Sequence, residues 1–370
     1  MPRVPVNEPS IGERELEYAE ECIRTGWISS AGRFIEAFER SWATFCGRAH
    51  GVAVSSGTAA LDVATACCRL QPGDEVIVPA FTIISCVQAV VRAGAVPVLV
   101  DCDPETWCMD VDKVALKLTS RTRAVMPVHM YGHPVDMAAL AALTDRFGLT
   151  VIEDAAEAHG AEHAGRRCGG FGDLSCFSFY ANKIVTTGEG GMVLTDDPAL
   201  AEHARKLRNL CFRPDRRFVH DELGFNYRLT NIQAAIGLAQ VERVNETVAR
   251  KRELAQAYSQ GLRDVGELQL PVERPDAKNV YWMYGVVLHE DVDMDAAAFA
   301  GALARLGVET RPFFVGMHEQ PVFRRMGLFR EETYPVTERL SRRGLYLPSG
   351  TALTVEQVDF VCRAVHKVFS

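Results

Sequence analysis

The chain has 370 residues, 48% hydrophobic and 24% charged, with a formal net charge of −8. This is globular composition, long enough for a large domain and a smaller one. The acidic balance excludes a general nucleic-acid or membrane-surface binder, and no apolar run approaches the ~20 residues of a membrane span.

Residues 1–7 carry no signal-peptide core, so a cytoplasmic protein is expected. Ser55-Ser56-Gly57-Thr58 opens a helix over 59–70 that Pro72-Gly73 stops. Short apolar strands follow at 75–78 and 96–100, the second running into Asp101, with a helix over 87–93 between them. Another strand covers 124–128, then an amphipathic helix 136–147 ends at Gly148. Strands at 149–152, 174–177 and 192–195 complete the series, the first ending at Glu153-Asp154. Short apolar strands separated by helices indicate an α/β fold with a parallel sheet covered on both faces. Past about 238 the pattern changes to a long charged helix over 240–262, a strand at 285–288 and helices at 296–306 and from 355. Two domains are therefore expected: 1–240, including an N-terminal segment 1–30, and a smaller α+β domain, 241–370, joined by the long helix.

The eleven cysteines include no Cys-x-x-Cys pair, and the adjacent Cys67 and Cys68 diverge around a helix. Reduced, structural thiols are expected rather than disulfides or zinc. His129 with His133, and His159 with His163, are spaced like metal pairs, but neither has a third ligand at suitable spacing, so no metal is expected.

Ligands of parallel sheets bind beyond the carboxyl ends of the strands. Thr82, Asp154, Ser178 and Lys183 all fall just past such ends. A lysine, a carboxylate and a serine on one rim are what pyridoxal phosphate requires: an amine for the Schiff base, an anion for the pyridine nitrogen, a hydroxyl for the phosphate. The helix opening Ser56-Gly57-Thr58 adds amides and the positive end of a helix dipole. Taken singly, these residues also read as a plain helix cap, a strand-end cap and a solvated lysine. Their occurrence together favours the cofactor.

Five segments then stand in order: Ser56-Gly57-Thr58-Ala59-Ala60, residues 72–79, residues 153–160, Ser178-Phe179 leading to Lys183, and Gly188-Glu189-Gly190-Gly191-Met192-Val193. Together they resemble the sugar-nucleotide aminotransferases of the aspartate aminotransferase fold, over nearly the whole chain. Finer segments at 6–13, 25–30, 129–134, 281–284 and 309–314 are similar to the branch that acts on a GDP-linked 4-keto-6-deoxy sugar. The resemblance implies the pyridoxal-phosphate-dependent fold type I, a mostly parallel central sheet with a smaller C-terminal domain. It implies that Gly57, Thr58 and Ser178 hold the phosphate, Asp154 the ring nitrogen, and Lys183 the aldehyde carbon, with Ser56 also among the cofactor-binding residues. Ile83 would pack the ring face where relatives place an aromatic side chain, and Glu157 would lie near the ring hydroxyl. Asn226 would reach the phosphate of a neighbouring subunit, making the protein a homodimer with shared sites. Trp27, Ser29, Arg311 and His318 are candidate substrate contacts.

The expected reaction is transamination of GDP-4-keto-6-deoxy-mannose with L-glutamate as donor, the cofactor passing through pyridoxamine phosphate. The alternatives are a GDP-linked 3-keto sugar, a dTDP-4-keto sugar, a sugar dehydratase on the same scaffold, or a non-catalytic regulatory protein. Lys183 stands against the dehydratase, whose lysine is replaced by histidine.

Overall fold

The computed structural model describes residues 3–213 and 215–370. Seven strands form the central sheet: β1 (His50–Val54), β2 (Glu75–Pro79), β3 (Val96–Val100), β4 (Thr122–Val125), β5 (Thr150–Asp154) and, after the two-residue strands β6 (Glu162–His163) and β7 (Arg166–Arg167), β8 (Leu174–Ser178) and β9 (Gly191–Thr195). Their order is β1-β9-β8-β5-β4-β2-β3. The pairs from β8 through to β3 are parallel, while β9 runs antiparallel to both β8 and β1. The strands are buried almost throughout, which matches their continuous apolar character. The helix Gly57–Cys67 lies against β8 and β9, and Arg33–Cys46 against β1.

A second sheet is wholly antiparallel: β10 (Leu268–Gln269), β12 (Tyr284–Leu288), β13 (Arg311–Pro312) and β14 (Gly344–Leu347), in the order β10-β12-β14-β13. The short β11 (Ala277–Lys278) pairs instead with β6. The second sheet has its own core, where Leu254, Tyr258, Phe299, Leu345 and Val361 pack together. Val4 belongs to this core and bridges Val308, so the N-terminal segment runs along the smaller layer before reaching the large one.

The long charged helix differs from expectation. It spans Val244–Leu262, and Gln240 belongs to a preceding helix, Asn231–Glu242. The break falls at Arg243, where φ is −119° and ψ 16°. Its guanidinium bonds Glu15 at 2.7 Å and the Ser10 carbonyl at 2.5 Å, so a tertiary contact occupies the kink. The strand placed at 124–128 is shorter and earlier, because Pro127 cannot donate to a ladder.

Candidate active site

Beyond the carboxyl ends of β5 and β8 lies a cavity of about 370 Å³. Ser56, Gly57, Thr58, Ile83, Asp154, Glu157, Ser178 and Lys183 all line it. Ser56 is the N-cap of the helix Gly57–Cys67, its hydroxyl accepting from the Ala59 amide at 3.1 Å. That leaves the amides of Gly57 and Thr58 at the positive end of the helix, ahead of its first internal bond. The Thr58 hydroxyl is 2.8 Å from that of Ser85. Gly57 is obligatory in this packing: a Cβ there would lie 2.6 Å from the Ser178 Cβ. The same tightness recurs at Gly191, where a Cβ would meet the Ser56 carbonyl oxygen at 2.2 Å.

Asp154 closes β5 and is 2% exposed. One carboxylate oxygen accepts from the Ala156 amide at 3.0 Å and the other from the Cys86 thiol at 3.1 Å. Burial raises its pKa, opposed by these hydrogen bonds and by Lys183. Lys183 sits on the loop between β8 and β9, which the bonds Phe179 N to Gly190 O and Thr187 N to Phe179 O draw closed. Burial holds its amine below the usual lysine range, with Glu157 and then Asp154 pulling the other way. Its Nζ is 3.9 Å from Glu157 Oε1, and the other Glu157 oxygen accepts from the Tyr131 amide at 2.8 Å. Burial pushes the Glu157 carboxyl up, against the Lys183 charge.

His159, two residues past Glu157, is a supporting residue rather than a ligand. Burial, then the nearby Lys183 charge, lowers its pKa to about 3, so it is neutral. Its Nδ1 accepts from the Val185 amide at 3.2 Å, tying the turn after β5 to the lysine loop. His129 is similarly engaged: Nδ1 accepts from the Val135 amide and Nε2 donates to Glu153 at 2.9 Å. Among the described residues one group, His129, Glu153 and Cys168, brings three potential metal ligands together. Glu153 there also accepts from the amides of Gly169 and Phe171 and the hydroxyl of Ser175. Hydrogen bonds from four donors fully explain that buried carboxylate. All eleven cysteines are free, and only Cys68 is more than marginally exposed.

Sequence reasoning missed the roof of the cavity. Trp282, Phe314 and Tyr346, from the smaller layer, line it, with Tyr180 and Asn182 beside the lysine. Trp282 Nε1 donates to the Asn182 carbonyl at 2.8 Å, while the buried Asn182 Oδ1 has no partner. The other candidates lie elsewhere on the chain. Asn226 is exposed and bridges Asn209. Trp27 is 58% exposed, and the carbonyls of Trp27 and Ser29 accept from Asn231. Arg311 is exposed and pairs with Glu309 at 2.7 Å. His318 is buried, its Nε2 3.2 Å from Glu338.

A helix N-terminus with hydroxyls, a buried carboxylate and a buried amine suit the phosphate, the ring nitrogen and the aldehyde of pyridoxal phosphate. The glycine that keeps Ser178 and the helix start in contact forms the cradle that a phosphate needs. Residues 9–366 match the model of the DegT/DnrJ/EryC1/StrS aminotransferase family. The chain belongs to this family. It is accordingly a pyridoxal-phosphate-dependent aminotransferase. It is 42% identical to GDP-perosamine synthase of Caulobacter vibrioides, the alignment covering 100% of this chain and 99% of that one. A GDP-perosamine synthase of Escherichia coli O157:H7 is 40% identical, with 100% of both chains covered. The crystal structure of the aminotransferase TlmJ from Streptoalloteichus hindustanus superposes with a TM-score of 0.92 at 34% identity, covering 99% of this chain and 98% of that one. Among the described residues no helix is long and apolar enough to cross a membrane.

Proposed function

We propose that the protein transfers an amino group from L-glutamate to GDP-4-keto-6-deoxy-D-mannose, giving GDP-perosamine and 2-oxoglutarate. The observation that carries this reading is the meeting of Lys183, Asp154, Ser178 and the start of the helix Gly57–Cys67 in one cavity. The whole-length similarity to GDP-perosamine synthases supports the choice of sugar.

When bound, the cofactor supplies an exchangeable aldehyde and a pyridinium ring that draws electrons from the substrate carbon. In this reading Lys183 is the catalytic residue. Its burial makes the amine neutral more readily than a surface lysine, so Nζ is both a nucleophile and a proton carrier. The same atom moves a proton between the amino-acid carbon and the cofactor in one half-reaction, and back onto the sugar carbon in the other. The Asp154 carboxylate, held by Cys86 and Ala156, would keep the ring nitrogen protonated. The amides of Gly57 and Thr58 and the hydroxyls of Ser56, Thr58 and Ser178 would orient the phosphate. Ile83, 38% exposed at the cavity, would pack the ring face, and Glu157 would lie by the ring hydroxyl. Trp282, Phe314 and Tyr346 keep water from the reacting carbon.

We also read the functional unit as a homodimer in which Asn226 of one chain completes the other's site. Leu16, Ile23, Trp27 and Ile28, all more than half exposed on or just after the helix Glu13–Thr25, support an apolar interface. Trp27, Ser29, Arg311 and His318 remain candidate substrate contacts in that assembly.

The deciding experiment incubates purified protein with L-glutamate and, separately, GDP-4-keto-6-deoxy-mannose, its 3-keto isomer and a dTDP-4-keto sugar, with products read by mass spectrometry. Amination of the first sugar at the highest kcat/KM is expected. Preference for either of the others reassigns the substrate, and amination of none removes the sugar-nucleotide reading.

A further inference from the structure

The roof of the cavity holds an arrangement that exclusion of water alone does not account for. Lys183 Nζ lies 3.5 Å from the centroid of the Trp282 ring, well inside the ~6 Å over which an aromatic face attracts a cation. The Glu157 oxygen stands at 3.9 Å. Trp282 is 5% exposed and fixed at two points. Its Nε1 donates to the carbonyl of Asn182, the residue before the lysine, and its own carbonyl accepts from Lys251 Nζ at 2.6 Å. The indole is therefore bound to the loop that carries the amine, and ring and amine keep their registration.

We propose that the indole face of Trp282 is the resting place of the Lys183 ammonium whenever that amine carries no covalent bond to the cofactor. The proposal rests on the assignment of Lys183 as the catalytic amine. A transaminase lysine is unlinked for part of every cycle, and a flexible four-carbon stem then has room to wander. Parked on the ring, Nζ stays within reach of the carbon it must reprotonate. Trp282 is a positioning residue: it acts through Lys183 and touches no reacting atom.

The sign of its effect separates this role from simple shielding. An aromatic face favours the charged amine, whereas burial favours the neutral one. The other titratable groups around the amine are Asp154, Glu157 and His159 on β5 and the turn after it, Cys176 on β8, Glu189 and Tyr180 on the lysine loop, Tyr346 on β14 and, across the adjoining cavity, Glu8, Arg243 and Lys251. None changes in a Trp282 variant.

The test reads the amine directly. Full-length protein loaded with pyridoxamine phosphate is acetylated with acetic anhydride across a pH series, and the Lys183 peptide is quantified by mass spectrometry. Trp282→Leu lowers the apparent pKa of Lys183 by about one unit, and Trp282→Phe by about half as much. A ring that only excludes water gives the opposite sign, since admitting water relieves the burial that depresses the amine. A rise, or no change, in Trp282→Leu overturns the proposal. If that variant does not fold, fluorinated tryptophans in place of the chain's four tryptophans weaken the ring face at nearly constant shape. The Lys183 pKa then falls with each added fluorine, and a flat series overturns the proposal. Failure of the underlying assignment is seen separately: borohydride reduction of the resting protein would fix the cofactor on a peptide other than that of Lys183.

Discussion

Gly57 packs directly against Ser178: a Cβ on the glycine would lie 2.6 Å from the serine Cβ and 3.2 Å from its Cα. The start of one helix and the end of a central strand are thus held at a separation only glycine permits. Gly57→Ala pushes them apart, and overpacking of this kind costs about 1–3 kcal/mol. Affinity for pyridoxal phosphate is expected to fall roughly tenfold, read by absorbance titration of stripped protein. An unchanged affinity would show that this junction does not hold the phosphate.

Asp154→Asn keeps the shape and removes the charge. Its two donors, Ala156 N and Cys86 Sγ, still lie at the same place. The half-reaction with glutamate, followed by the cofactor's absorbance, is expected to slow about 10²–10⁴-fold. A loss of only severalfold would mean that the ring nitrogen is protonated by other means.

Lys251 gives a pH prediction. Burial pushes its amine down to about 7, and its Nζ donates to the carbonyls of Trp282 and Ser349. Between pH 7 and its unfolded value near 10.4, the unfolded chain carries a proton that the folded chain lacks, so stability rises with pH across that window. Below about pH 7 both states are protonated and the folded one bears the full penalty of a buried charge. Lys251→Met removes this dependence. In urea titrations the wild type should gain on the variant by several kcal/mol between pH 7 and 10; parallel pH profiles would refute the shift.

Glu153→Gln probes the group that most resembles a metal site. The Gly169 and Phe171 amides bond different carboxylate oxygens, so an amide in place of this acceptor-only group puts a donor against one of the two. A loss of about 3 kcal/mol is expected, seen as a fall in melting temperature. Added zinc should leave the melting temperature of the wild type unchanged, since His129 and both oxygens of Glu153 are already engaged in hydrogen bonds.

Much of the central sheet was legible because β2, β3, β5, β8 and β9 are apolar runs bounded by proline, glycine or aspartate. β1 was not, and the reason is physical. Gly51 weakens the strand signal, yet a Cβ there would meet the Glu39 carbonyl at 2.6 Å, so packing demands the residue that obscures the pattern. The reversed direction of β9 leaves no mark on side-chain periodicity, and the kink at Arg243 depends on Glu15, far away in sequence. Residues on strand ends and the helix start were found because their chemistry is local. Trp282, Phe314 and Tyr346 escaped because, in sequence, an aromatic side chain destined for a cavity roof looks like one destined for a core. His159 drew attention as half of a metal pair, whereas its work is to accept one backbone hydrogen.

Gly191 lies directly beneath Ser56, and β9 is the last strand to enter the central sheet while pairing with the first. A nascent chain stopped short of β9 therefore has the phosphate-facing helix, the acidic strand end and Ser178, but lacks the strand that closes the sheet onto β1 and lies under Ser56. Long-range closure of this kind comes late in folding. The vitamin derivative is captured only by a chain that has finished its sheet, and the yellow colour of the loaded protein doubles as a report on maturation.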